Sequence, residues 1–166
     1  DRDLEDVSSM TRQEVSARIA SGSLAGTSHT DIDGVERPVE DIILGAARRH
    51  RVSPKVLLVM LQKEQSLVGR PGATQRQLDM AMGFADCDPK CPSKVVRDEG
   101  KGFARQVNAG ARVLRKHYDA FRRDGHRKPM TIDGQTVTPA NAATAALYRY
   151  TPHLHGNTLF SNIWQK

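Results

Sequence analysis

Apolar residues recur along this chain mostly at helical spacing. Val15 and Ile19 lie one turn apart behind Thr11-Arg12-Gln13-Glu14, a capping-box pattern, and predict a short amphipathic helix ending near Gly22. Val39, Ile42, Ile43, Ala46 and Ala47 form a core-facing stripe after Pro38, which can open a helix at its first position. Ser53-Pro54 reads as N-cap and first helical residue of a helix running to about Val68, where Gly69 and Pro71 stop it. A short helix is expected over 75–82 and a long one over 101–123, with Phe103, Val107, Ala111, Leu114, Tyr118 and Phe121 on its buried side. Thr138-Pro139 opens an Ala-rich helix, and a last short helix covers 157–164.

Strand signals are few. Residues 131–137 contain Asp133-Gly134 between β-branched residues, a hairpin signature. The Gly-, Ser- and Asp-rich stretch 21–34 reads as a long loop. Within it Asp31-x-Asp33-Gly34 matches part of a calcium loop but lacks the downstream bidentate Glu, so an ordinary turn is expected. The fold class is therefore mainly α, an α+β arrangement with one helical domain and a small β-hairpin. Residues 1–37 form an N-terminal helix and loop extension to a main domain over 38–166.

The 166 residues, 38% hydrophobic and 27% charged, suit one soluble domain with its own core. No apolar run reaches membrane-spanning length; the longest, from Val56, is broken by Gln62 and Lys63. A net charge of +6 implies attraction to polyanions such as nucleic acid, anionic lipid or cell wall. Three Tyr, four Phe and one Trp are too few for a base-stacking platform, and no recognition-helix or zinc-finger pattern accompanies Arg48-Arg49-His50-Arg51, so no nucleic-acid partner is expected. The chain opens with Asp1 and no signal pattern, as a processed or cloned fragment would. Cys87 and Cys91 flank a proline turn and lack further zinc ligands; a loop disulfide is favoured over free thiols and leans toward an exported protein. His153-Leu154-His155 lacks a third ligand, so no metal is expected.

One residue breaks the pattern chemically. Leu57, Met60, Leu61, Glu64, Leu67 and Val68 share one helical stripe, which sets a carboxylate among apolar side chains. Desolvation disfavours the ionised form, which is what a general acid working near neutral pH needs.

The segment Val56 to Leu67, with Gln62-Lys63-Glu64-Gln65-Ser66, resembles the catalytic helix of the lysozyme-like superfamily, in its soluble lytic transglycosylase and goose-type lysozyme branch. Met80-Ala81-Met82-Gly83-Phe84 is similar to that family's groove-lining Gly loop, and Ala143 to Tyr150 to its Ala-rich helix carrying a Tyr that points at the acid. Leu78-Asp79 through Cys91, and Ala146 through Trp164 with Tyr150-Thr151-Pro152-His153, look like a secreted bacterial subgroup. The resemblance implies Glu64 as catalytic acid, Tyr148 as its partner with Tyr150 in reserve, and Gln65, Ser66, Met82, Gly83, Phe84, Tyr150 and His153 as substrate-binding. Gln65 stands where the family has Ser, and Arg149 where it has Asn.

The activity so implied is cleavage of the β-1,4 bond between N-acetylmuramic acid and N-acetylglucosamine, without a cofactor, by a monomer acting outside the cell or at its wall. A lytic transglycosylase yields 1,6-anhydro ends. A muramidase-type hydrolase needs a second carboxylate, for which Asp79, Asp86 and Asp88 are the candidates. A non-catalytic wall-binding domain is the remaining alternative.

Overall fold

In a computed structural model the described residues are 1–84 and 100–166. They form a mainly helical fold with two small antiparallel hairpins. The elements are α1 (Arg2–Glu5), α2 (Arg12–Ile19), β1 (Ser28–Thr30), β2 (Glu36–Pro38), α3 (Val39–His50), α4 (Pro54–Gln65), α5 (Gln75–Asp79), α6 (Phe103–Asp124), β3 (Met130–Ile132), β4 (Gln135–Val137), α7 (Ala142–Tyr150) and α8 (Leu154–Trp164).

Helix α4 is the central strut. Ser53 caps it, Pro54 occupies its first turn, and every residue from Val56 to Leu61 is buried. A helix apolar on all sides must be surrounded, and α8 and α3 both pack on it. The helix ends earlier than periodicity predicts. Ser66 turns left-handed at φ 58°, and Gln62 Oε1 takes the backbone N–H of Val68 at 3.1 Å and of Gly69 at 2.9 Å. Leu67 and Val68 stay buried, but from the turn rather than from the helix.

Helix α6 lies against α3 and α7, with Phe103, Val107, Ala111, Leu114 and Tyr118 in the core. The small residues Ala142, Ala145 and Ala146 let α7 approach it closely. The cap of α7 is Asn141, whose Oδ1 accepts the Thr144 N–H at 2.8 Å; Thr138-Pro139 precedes the helix instead of opening it. Similarly α8 begins at Leu154, so His155 is helical and the two histidines do not alternate along an extended segment.

Two features were not expected from sequence. Helix α1 docks Leu4 in the core, and β1, inside the stretch read as loop, pairs with β2 just beyond it. The turn between them is an ordinary one: Arg37 binds Asp31 at 3.2 Å and Asp33 at 2.6 Å, and its hydrogen bond holds the Asp33 carboxyl down at about 2. Leu4, Val15, Ile19 and Leu24 share one core with α3, α4 and α6. At Gly22 the chain passes so near the end of α4 that a Cβ would lie 2.1 Å from the Val68 carbonyl oxygen. Among the described residues, no helix is long and apolar enough to cross a membrane.

Candidate active site

Glu64 sits in the last turn of α4, where the buried strut reaches the surface, and its side chain is 23% exposed. The surroundings are not the purely apolar set that the stripe implied. Oε1 accepts a hydrogen bond from the ammonium of Lys63, whose side chain is 5% exposed. That ammonium also donates to Thr151 Oγ1 at 2.9 Å, at the C-terminal end of α7.

The other face of the carboxylate is covered by backbone. Gly83 has φ +65°, and a Cβ there would fall 2.9 Å from Glu64 Oε2. Glycine suits both that conformation and that distance, since a Cβ would displace the Glu64 carboxylate. The loop is held by Gln106, which is fully buried in α6. Its Oε1 accepts the N–H groups of Met82 and Phe84, both at 3.1 Å, and its Nε2 donates to the carbonyls of Phe84 at 2.9 Å and Gly100 at 2.8 Å. Every polar atom of this side chain is used, and three of its four bonds fix the loop over Glu64.

Tyr150 closes the site from α7. Its hydroxyl donates to the Met82 carbonyl at 2.8 Å, and burial followed by the nearby Glu64 charge pushes its ionisation well above the ordinary phenol range. Gly110 on α6 makes room for it, since a Cβ there would lie 2.9 Å from the Tyr150 hydroxyl. Tyr148 points elsewhere: it lines a cleft of about 500 Å³ with Leu154, Asn157 and Trp164. The tyrosine at the carboxylate is thus Tyr150, two residues along from the first choice by resemblance.

The remaining sequence candidates divide. Met82, Gly83 and half-buried Phe84 form the loop beside Glu64. Gln65 and Ser66 face a neighbouring pocket of about 300 Å³ with Arg70 and Gln77. His153 binds Asp133 in the β3–β4 turn at 3.0 Å, and Asp133 also accepts the Leu154 N–H at 2.8 Å, so this pair fastens the hairpin to the start of α8. Asp79 accepts a hydrogen bond from Gln75 within α5. Asp86, Asp88, Cys87 and Cys91 lie outside the described residues. Among the described residues, no group of three His, Cys, Asp or Glu side chains could hold a metal.

Sequence reasoning missed Lys63 and Gln106. Gln106 carried a readable signal, being a polar residue one turn from Phe103 on the buried side of α6, the same anomaly that marked Glu64. Lys63 carried none, because it lies off the stripe of α4 and is buried by a distant corner of the chain. No curated protein and no solved structure matches this chain. The family of the LasA N-terminal domain matches residues 8–164, and with nearly the whole chain covered, the protein belongs to that family.

Proposed function

We propose that this protein cleaves peptidoglycan glycan strands between N-acetylmuramic acid and N-acetylglucosamine, with Glu64 as general acid and base. The observation that carries the reading is one carboxylate at the open end of a sealed helix, with Gly83 backbone on one side and Tyr150 behind it. An acid fixed in this way can meet a glycosidic oxygen without first being ordered. Glu64 protonates that oxygen, then accepts the proton of the muramoyl C6 hydroxyl as it closes on C1, leaving a 1,6-anhydro end. This route needs no second carboxylate, in keeping with Asp79 being engaged within its own helix. The net charge of +6 supports attraction to an anionic wall.

The Lys63 contact favours a second reading. A carboxylate already bonded to a buried ammonium suits a non-catalytic wall-binding domain that has kept the framework of an enzyme. Mass spectrometry of muropeptides after incubation with purified wall separates the outcomes. Anhydro ends are expected, and their release should fall by roughly 10²–10⁴-fold in Glu64→Gln. Reducing ends would make the protein a hydrolase. Sedimentation with the wall and no soluble fragments from the wild type would make it a binding domain, and undiminished release by the variant would remove Glu64 from the chemistry.

A further inference from the structure

A general acid must hold a proton when the substrate arrives, and the neighbourhood of Glu64 supplies one in an unusual way. Adjacent helix positions do not ordinarily face each other. Here Lys63 and Glu64 meet because the ammonium is drawn inward to Thr151 Oγ1 at 2.9 Å. Glycines guard both ends of this chain of three polar groups. A Cβ at Gly83 would strike Glu64 Oε2 at 2.9 Å, and one at Gly156 would strike Thr151 Cγ2 at 2.6 Å. Lysine is rarely buried this deeply without a partner, and a salt contact on the helix surface would not require such close fitting.

We propose that Lys63 is a positioning residue that stores the proton Glu64 delivers, an inference that rests on the glycan-cleavage reading above. Before substrate arrives, Lys63 Nζ donates its hydrogen bond to Glu64 Oε1. Substrate covering the pair excludes water, and a neutral amine beside a carboxylic acid then becomes the less costly arrangement. The Nζ–H bond breaks as an O–H bond forms at Oε1. Glu64 passes that proton to the glycosidic oxygen, which leaves C1 with the bonding electron pair. The C6 hydroxyl adds to C1, its proton goes to Glu64, and from there it returns to Nζ. The cycle consumes no proton and needs no co-reactant.

Among the described residues, few other titratable groups are placed against the pair. Tyr150 faces it from α7 with its hydroxyl committed to the Met82 carbonyl, while α8 and the 82–84 loop present the uncharged Gly156 and Gly83.

Arginine distinguishes storage from simple placement, because a guanidinium can hold the carboxylate but does not give up its proton. Rates of fragment release from purified wall should fall on the order of 10²-fold in both Lys63→Arg and Lys63→Met, in kcat and not in KM. Activity of Lys63→Arg within a few-fold of wild type would overturn the proposal. Near-UV circular dichroism and thermal melting check that the variants fold, and Thr151→Val provides a milder test. Losing the hydroxyl that draws Nζ inward should lower kcat several-fold with KM unchanged, and a kcat equal to wild type would overturn the proposal even if Lys63→Arg fails to fold. Wild-type protein that releases no fragments would overturn the glycan-cleavage reading and this inference together; an active wild type with active Lys63→Arg removes this inference alone.

Discussion

The two halves of α4 are built on opposite principles. From Val56 to Leu61 no residue exceeds 5% exposure, whereas Gln62 to Gln65 are all half-buried and polar or charged. The first half is held by packing from all sides and has no groups free for chemistry. The second half is held by specific bonds: Gln62 to the departing backbone, Lys63 to Thr151, and Glu64 between Lys63 and Gly83. A rigid apolar shaft thus fixes the direction of a short polar tip, and the tip can be tuned without disturbing the shaft.

The comparison can be broken most severely in the shaft. Met60→Ala empties a fully buried site and should cost roughly 2–5 kcal/mol by denaturant unfolding. On the proposed reading, glycan cleavage per folded molecule should change little. Gln106→Ala comes next, at roughly 1–3 kcal/mol, since it leaves the buried Met82 N–H and Gly100 carbonyl without their partner. Unlike Met60→Ala it should also lower kcat, because the loop over Glu64 loosens. Gly83→Ala should cost about 1–2 kcal/mol from the left-handed backbone alone. Its Cβ displaces the Glu64 carboxylate, so a loss of activity larger than the loss of stability is expected. Activity as high as wild type in Gly83→Ala would show that the tip tolerates movement and would dissolve the contrast.

The smallest effect concerns Tyr150. Tyr150→Phe removes one hydrogen bond, about 0.5–1.5 kcal/mol. Because burial raises the phenol's ionisation in the folded state, its contribution to stability is complete below about pH 10, the ordinary tyrosine value, and declines as pH rises beyond it. Alkaline unfolding curves of wild type and Tyr150→Phe should therefore converge as pH climbs above that value. Curves that stay parallel would place the hydroxyl in water rather than on Met82.

Much of the shaft was legible in sequence and less of the tip. The stripe of α3 and the buried side of α6 follow directly from spacing, because core packing and helical period impose the same pattern. Periodicity placed Glu64, Leu67 and Val68 on one helix, yet it could not register the left-handed turn at Ser66 that keeps the latter two buried by another route. Tyr148 and Tyr150 stand in an Ala-rich helix with small residues on more than one side, so spacing alone could not say which faces the carboxylate. The first hairpin was invisible because Ser28-His29-Thr30 and Glu36-Arg37-Pro38 have no apolar alternation; the bonds of Arg37 across the turn take its place.

The crossing at Gly22 bears on how the molecule can be dissected. Backbone meets backbone there, Ser23 N–H bonds the Leu67 carbonyl at 3.0 Å, and the same turn follows directly from the polar tip of α4. A fragment starting at residue 38 would retain every group named at the carboxylate yet lose the chain that braces the turn beneath it. The first 37 residues are thus a keystone, and trimming them would dismantle the site from a distance.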